Sequence, residues 1–251
     1  MSRLSNLKKD LKAKAKLANA KALARYFKTG PGEYGEGDIF LGLKTAETRQ
    51  VAKKYPDLSP TDLKKLLASK MHEERTVALM ILTRQFAQAP LAQKKALYQF
   101  YLRNLGGVNN WDLVDTSAPE IVGAYLDLTQ EPRDILYQLA YSANLWERRV
   151  AMLATYYFIK KNQFTDTLKI AKILLKDKED LIHKAVGWML REVGKRDLAA
   201  EEAFLHQNYR KMPRTMLRYA IEKFPEAKRQ AYLSPYLPNL YNGLVWLGKP
   251  K

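Results

Sequence analysis

Two stretches, Glu74-Arg-Thr-Val-Ala-Leu-Met-Ile-Leu82 and Glu147-Arg-Arg-Val-Ala-Met-Leu-Ala-Thr155, align without a gap, position 74 on 147 through 82 on 155. About halfway between them lies Asn109-Asn-Trp-Asp-Leu-Val-Asp-Thr-Ser117, and the pattern returns at His183-Lys-Ala-Val-Gly-Trp-Met-Leu-Arg-Glu192. One position followed through the series reads Ala78, Asp115, Ala151, Ala185, in steps of 37, 36 and 34. A period near 35 that holds two helices is the signature of stacked helical repeats. The expected fold is therefore all-α: a right-handed α-solenoid of HEAT-like or armadillo-like helical repeats with a basic concave groove, in one domain over 1–251. A general helical bundle is the plainer alternative.

Working outward, helix-periodic segments fit 45–55, 73–87, 91–104, 111–127, 132–142, 146–161, 165–176, 179–194, 197–208 and 213–224, with another starting at Ser59-Pro60. Short separators with Pro, Gly, Asn or Asp suit helix-to-helix turns. Thr45 and Asn110 are the expected N-caps of their segments. At the start, Leu4, Leu7, Leu11, Ala15, Ala18, Ala22 and Tyr26 recur at steps of three and four, which predicts one basic N-terminal helix over 1–28. Gly30-Pro31-Gly32 stops it. The glycines of 30–37 lack a following Gly-Lys-Ser/Thr and a preceding strand, so a loop is expected there rather than a nucleotide cradle. The aromatic, proline-broken end predicts a C-terminal strap over 233–251.

Composition narrows the function. The 251 residues carry 43 Lys+Arg against 26 Asp+Glu, a formal +17. Residues 1–28 alone hold nine cations against Asp10. Such an excess repels itself unless an anion screens it, and nucleic acid is the commonest such partner; a solvated, solubilising face is the bland alternative. No cysteine removes thiolate sites and disulfides. Three scattered histidines, His72, His183 and His206, offer no metal-ligand spacing. The longest apolar stretch, 150–159, is short of the ~18 residues of a membrane span. No signal-peptide pattern is present. A cytoplasmic, bacterial-type location without membrane, metal or cofactor follows as the expectation.

The repeat register exposes an exception: a carboxylate, Asp115, where the other repeats have alanine. Trp111 shares its helix face at i, i+4. In the last repeat Trp188 and Arg191 share another face, and Arg149 lies two positions from Ala151. Indoles attract cations, a carboxylate stabilises an adjacent cation, and Arg/Lys grip phosphates. That set suits a positively charged group on a polyanion. The competing reading makes Asp115 one half of an inter-repeat salt bridge and the tryptophans, Trp146 and Trp246 included, packing residues.

These residues sit in motifs that resemble the DNA alkylation repair glycosylases of the AlkD type: ALARYFKTG (22–30), FLGLKTAETRQ (40–50), NNWDLVD (109–115), NLWERRVAML (144–153) and HKAVGWMLREVGK (183–195). They keep their order from Ala22 to Lys195, most of the chain. The resemblance implies a HEAT-like solenoid holding duplex DNA and excising N3- and N7-alkylated purines. It implies a catalytic role for Asp115 with Trp111 and Trp188 beside the lesion, and backbone contacts from Arg149 and Arg191. It also implies that Tyr26 approaches the damaged site, and that Lys28, Lys44, Thr45 and Lys184 belong to the DNA-binding set. Ala46 replaces a frequent proline, Lys44 an uncharged polar residue, and the 30–37 insertion is of unusual length. The implied product is an abasic site without strand cleavage, made by a monomer. The chief alternative is a non-catalytic HEAT-repeat protein that binds damaged or branched nucleic acid; a scaffold for acidic peptides would leave the Trp111–Asp115 pair idle.

Overall fold

The computed structural model describes residues 2–234. In chain order the helices are α1 (Arg3–Ala13), α2 (Leu17–Tyr26), α3 (Thr45–Lys54), α4 (Pro60–Leu67), α5 (His72–Gln88), α6 (Leu91–Arg103), α7 (Trp111–Ala118), α8 (Ala124–Thr129), α9 (Asp134–Ala140), α10 (Leu145–Ile159), α11 (Thr165–Ile173), α12 (Asp180–Gly194), α13 (Leu198–Asn208), α14 (Arg214–Ala220) and α15 (Glu226–Leu233). Among the described residues there is no β-strand, only an isolated bridge between Ile39 and Met71. The strap expected over 233–251, with Trp246, lies outside the described residues beyond Ser234.

The repeat register becomes a packing order. Helices α5, α7, α10, α12 and α14 pack successively, while α4, α9, α11 and α13 lie against α5, α10, α12 and α12 in turn. Ala78, Ala151 and Ala185 are fully buried, as a small residue packed between neighbouring helices should be. One apolar core runs continuously from Leu7 to Tyr232. The twin stretches also repeat a contact. Arg75 donates from Nη1 to the Ser69 carbonyl at 2.8 Å, and its counterpart Arg148 donates from Nη1 to the Ser142 carbonyl at 3.0 Å. Each arginine ties its helix to the turn before it.

Two expectations at the N-terminus are corrected. The single helix over 1–28 is two helices, broken at Lys14–Lys16, where the Lys16 amide donates to the Leu41 carbonyl at 2.8 Å. Gly42, at φ +89°, lies so close to Lys16 that a Cβ would come within 2.2 Å of its carbonyl oxygen. That tertiary contact overrides the helical periodicity. The apolar stripe is also only half used: Leu7 and Leu11 are buried, whereas α2 buries nothing and exposes Leu17. Thr45 is not the cap of α3 but its first residue. Lys44 takes the cap position because the Glu47 carboxylate accepts the Lys44 N–H at 2.8 Å and closes the turn one residue earlier.

The segment expected as one helix over 111–127 contains a π-helical turn over Pro119–Gly123. Pro119 has no N–H to give to the carbonyl of Asp115, four residues earlier, so the regular ladder cannot continue. Gly123 in that turn approaches α10 to where a Cβ would lie 2.3 Å from the Ala154 carbonyl oxygen. The turn itself therefore packs tightly on α10.

Candidate nucleic-acid and lesion site

Asn110 caps α7 as its side-chain carbonyl accepts the Trp111 N–H at 2.8 Å. The helix then presents Trp111, Asp112 and Asp115 within its first five residues. The Asp115 carboxylate receives two parallel hydrogen bonds from Arg149, Nε to Oδ1 and Nη2 to Oδ2, both 2.8 Å. The third arm of Arg149, Nη1, donates to the Leu181 carbonyl at 2.5 Å, so α7, α10 and α12 meet at one guanidinium. Burial pushes the Asp115 carboxyl up from its ordinary value, against the pull of Arg149. About 15% of its side chain remains exposed, against 5% for Arg149.

The salt bridge of the competing reading is thus present: Asp115 pairs with Arg149 across the stack. Arg149, expected at the DNA backbone, has its guanidinium committed to Asp115 and Leu181.

Trp111 is half-buried and stacked on Phe27, with ring centroids 5.2 Å apart and planes at 13°. Tyr26, 65% exposed, meets it edge-on at 6.0 Å. The expected neighbourhood of Tyr26 and Trp111 therefore exists in the fold, carried by α2 and α7. Trp188 is half-buried, its indole N–H donating to Glu192 at 3.1 Å, with Tyr156 tilted against it at 5.9 Å. Arg191 pairs with Glu222, and Lys184 with Asp180 at 2.7 Å. Lys28, Lys44 and Thr45 are exposed, and the two lysines make no ion pair among the described residues.

Sequence reasoning missed a network behind Trp111. His72 is buried between two carboxylates: its Nε2 lies 2.8 Å from Asp112 Oδ2 and its Nδ1 3.2 Å from Asp38 Oδ2. Arg75 Nη2 reaches the same Asp38 oxygen at 2.6 Å, and Asn110 Nδ2 at 3.2 Å. Burial alone would lower the imidazole pKa, but Asp112 and Asp38 more than reverse this and hold it above its ordinary value. Burial opposes Asp38's ionisation, yet His72, Arg75 and Asn110 keep its pKa below the ordinary carboxylate value. The imidazole stacks on Phe40 at 4.6 Å, and Phe40 on Phe27 at 5.0 Å, so the network backs the ring that supports Trp111. The one signal available in advance was Asp112, the first aspartate of NNWDLVD.

The glycine-rich loop was missed in part. Tyr34 at its centre faces the edge of Trp146 at 6.1 Å and directs its hydroxyl to the Tyr26 carbonyl at 3.4 Å. Burial raises its pKa, while Trp111 and Lys184 pull the other way, which places the phenol among residues of α7, α10 and α12. Trp146, expected as a packing residue, does pack against the core, and its half-buried ring also meets Tyr34.

An acid held by an arginine, flanked by indoles on a cationic chain, can stabilise positive charge next to a phosphodiester. Residues 7–224 match the sequence model of the DNA alkylation repair enzyme family. The chain belongs to that family. Its fold is similar to that of a protein described as a predicted DNA alkylation repair enzyme from Enterococcus faecalis, at a TM-score of 0.64 and 17% identity over 85% of this chain and 98% of that one. It is also similar to AlkD2 from Streptococcus mutans, at 0.52 and 19% identity over 82% and 98%. Among curated proteins none matches the sequence. No helix among the described residues is long and apolar enough to cross a membrane.

Proposed function

We propose that this DNA alkylation repair protein is a monofunctional DNA glycosylase. It hydrolyses the N-glycosidic bond of cationic N3- and N7-alkylated purines, 3-methyladenine and 7-methylguanine, in duplex DNA. The observation that carries this reading is the Arg149-bound carboxylate of Asp115 one helical turn from the half-buried Trp111. Alkylation at N3 or N7 makes the base a cation and hence an activated leaving group, so no general acid is needed. What remains is the positive charge that develops on the deoxyribose as the bond to the base lengthens. Asp115 faces that charge, and its raised pKa suits a base that accepts a proton from the attacking water. Arg149 fixes both carboxylate oxygens and so aims the group.

Trp111, Trp188 and Tyr26 supply aromatic faces for the cationic nucleotide. Lys28, Lys44, Thr45, Lys184 and Arg191 supply the phosphate contacts, in a basic groove of HEAT-like repeats. The last two exchange their carboxylate partners, Asp180 and Glu222, for phosphate. The enzyme acts as a monomer on nucleoid DNA in the cytoplasm. Incubation with a duplex carrying one 7-methylguanine, followed by alkaline cleavage and gel separation, should reveal an abasic site, with none formed at uracil or hypoxanthine. Uracil release at a comparable rate would defeat the reading, because a neutral base needs an acid.

A further inference from the structure

The turns that lead into α5 and α7 enclose a cavity of about 420 Å³, apart from the Trp111 site. Four cations line it: Lys64 from α4, Lys70 from the following turn, Arg75 from α5 and Arg103 from the end of α6. Lys64, Lys70 and Arg103 are exposed and make no ion pair among the described residues, whereas their neighbour Lys65 pairs with Asp62. Of the two acids in the wall, Asp38 is held by His72 and Arg75, and Glu36 accepts the Gly32 N–H at 3.0 Å. The free charge that remains is positive.

Arginine with several lysines around a polar cavity is a donor set matched to phosphate oxygens.

We infer that the cavity, through its free cations Lys64, Lys70 and Arg103, is a phosphate-binding site that grips the DNA backbone to one side of the lesion. The inference rests on the proposal that duplex DNA occupies the Trp111 site. Asn109 lines the cavity and Trp111 opens the site, two residues and at most about 7 Å of chain apart. Phosphates on one strand advance 3.4 Å per nucleotide along the duplex axis, so a strand passing Trp111 reaches the cavity within a few nucleotides. The contact reads no sequence. It fixes the register of the protein on the duplex.

The test compares Lys70→Gln/Arg103→Gln with a charge-matched control on α11, Lys169→Gln/Lys172→Gln. Binding to an undamaged duplex is measured by anisotropy across a salt series, with circular dichroism as the check on folding. Because Lys70 and Arg103 are exposed, both proteins should fold. The cavity variant should lose about tenfold in affinity at low salt, and its salt slope should shrink by about one to two, since each lost phosphate contact removes about 0.9. A hydroxyl-radical footprint around 7-methylguanine should lose protection on one side only. The control should match the wild type.

Equal affinity and slope in the cavity variant and the wild type would overturn the assignment. So would pyrophosphate binding that the variant loses while its DNA binding stays intact, since the site would then serve a free phosphate compound. Wild-type protein that binds no duplex at all would instead defeat the functional reading, and this inference with it.

Discussion

The helices α5 and α10 carry the twin stretches at 74–82 and 147–155, yet they serve different ends. In both, an arginine, Arg75 or Arg148, bonds the serine carbonyl of the preceding turn and a carboxylate from a neighbouring segment, Asp38 or Asp177. In both, a fully buried alanine follows, Ala78 or Ala151. The residue between differs. Thr76 of α5 bonds only the His72 carbonyl of its own helix, at 3.0 Å, whereas Arg149 of α10 crosses to Asp115 and Leu181. The shared residues build the stack, and the unshared ones carry the chemistry.

Breaking the unshared position should therefore have the largest effect. Arg149→Ala leaves Asp115 buried without its partner, which costs about 3–5 kcal/mol of stability, a fall in Tm of roughly 10 °C or more. Excision should be lost as well, even at a temperature where the variant is folded. Thermal denaturation beside a single-turnover assay would separate the two effects, and an active, fully stable variant would show that the cross-repeat bridge is incidental.

Asp115→Asn tests the other half of the same pair. It keeps the shape but removes the charge facing the sugar cation, so excision should fall by about 10²–10³-fold while duplex affinity changes little. Arg148→Ala sharpens the contrast from the framework side. It should lower Tm by several degrees through the loss of Asp177 and the Ser142 and Ala143 carbonyls, yet leave the rate per folded molecule unaltered.

Glu201 on α13 shows what a buried carboxylate does without a salt-bridged arginine such as Arg149, although Arg191 and Lys228 lie near enough to oppose the effect of burial. Only 2% exposed, it has one oxygen with no hydrogen-bond partner, and burial pushes its pKa up to about 8, with Glu202 adding to the rise. The folded protein keeps a proton that the unfolded chain releases near pH 4.5. Stability from this residue is therefore present below that pH and lost as pH rises towards 8. Glu201→Gln should raise Tm at pH 8 relative to its effect at pH 4.5 by roughly 10 °C or more. An equal change at both pH values would show that the side chain is ionised throughout. The smallest expected effect belongs to Trp188→Leu, which removes an aromatic face but keeps bulk: about 0.5–2 kcal/mol, up to roughly thirtyfold in the rate of 7-methylguanine release.

The architecture was legible because its cause is periodic. A small residue must recur wherever helices stack, so the series Ala78, Asp115, Ala151, Ala185 exposes both the repeat and the odd carboxylate within it. Segment boundaries followed to within a few residues for α5, α6, α10 and α12, where apolar spacing and caps agree. They failed where a distant contact decides. The N-terminal stripe continues through Lys16, but the 40–44 turn captures that residue's amide. α15 was not anticipated, for its eight residues span little more than two turns, too few for an apolar spacing to repeat.

Of the site, the sequence by itself determined the residue types on one helix face: Trp111 with Asp115, and Trp188 with Arg191, because i, i+3 and i, i+4 neighbours are fixed by the helix pitch. Only the tertiary structure decided the partners that arrive from elsewhere. Arg149 reaches Asp115 from three helices further along the chain, His72 reaches Asp112 from α5, and Tyr34 reaches the Trp146 edge from a loop far upstream. Helical periodicity orders side chains along one element, but it carries no information on which turn of another element will face them. That is set by how the stacked helices bury their common core.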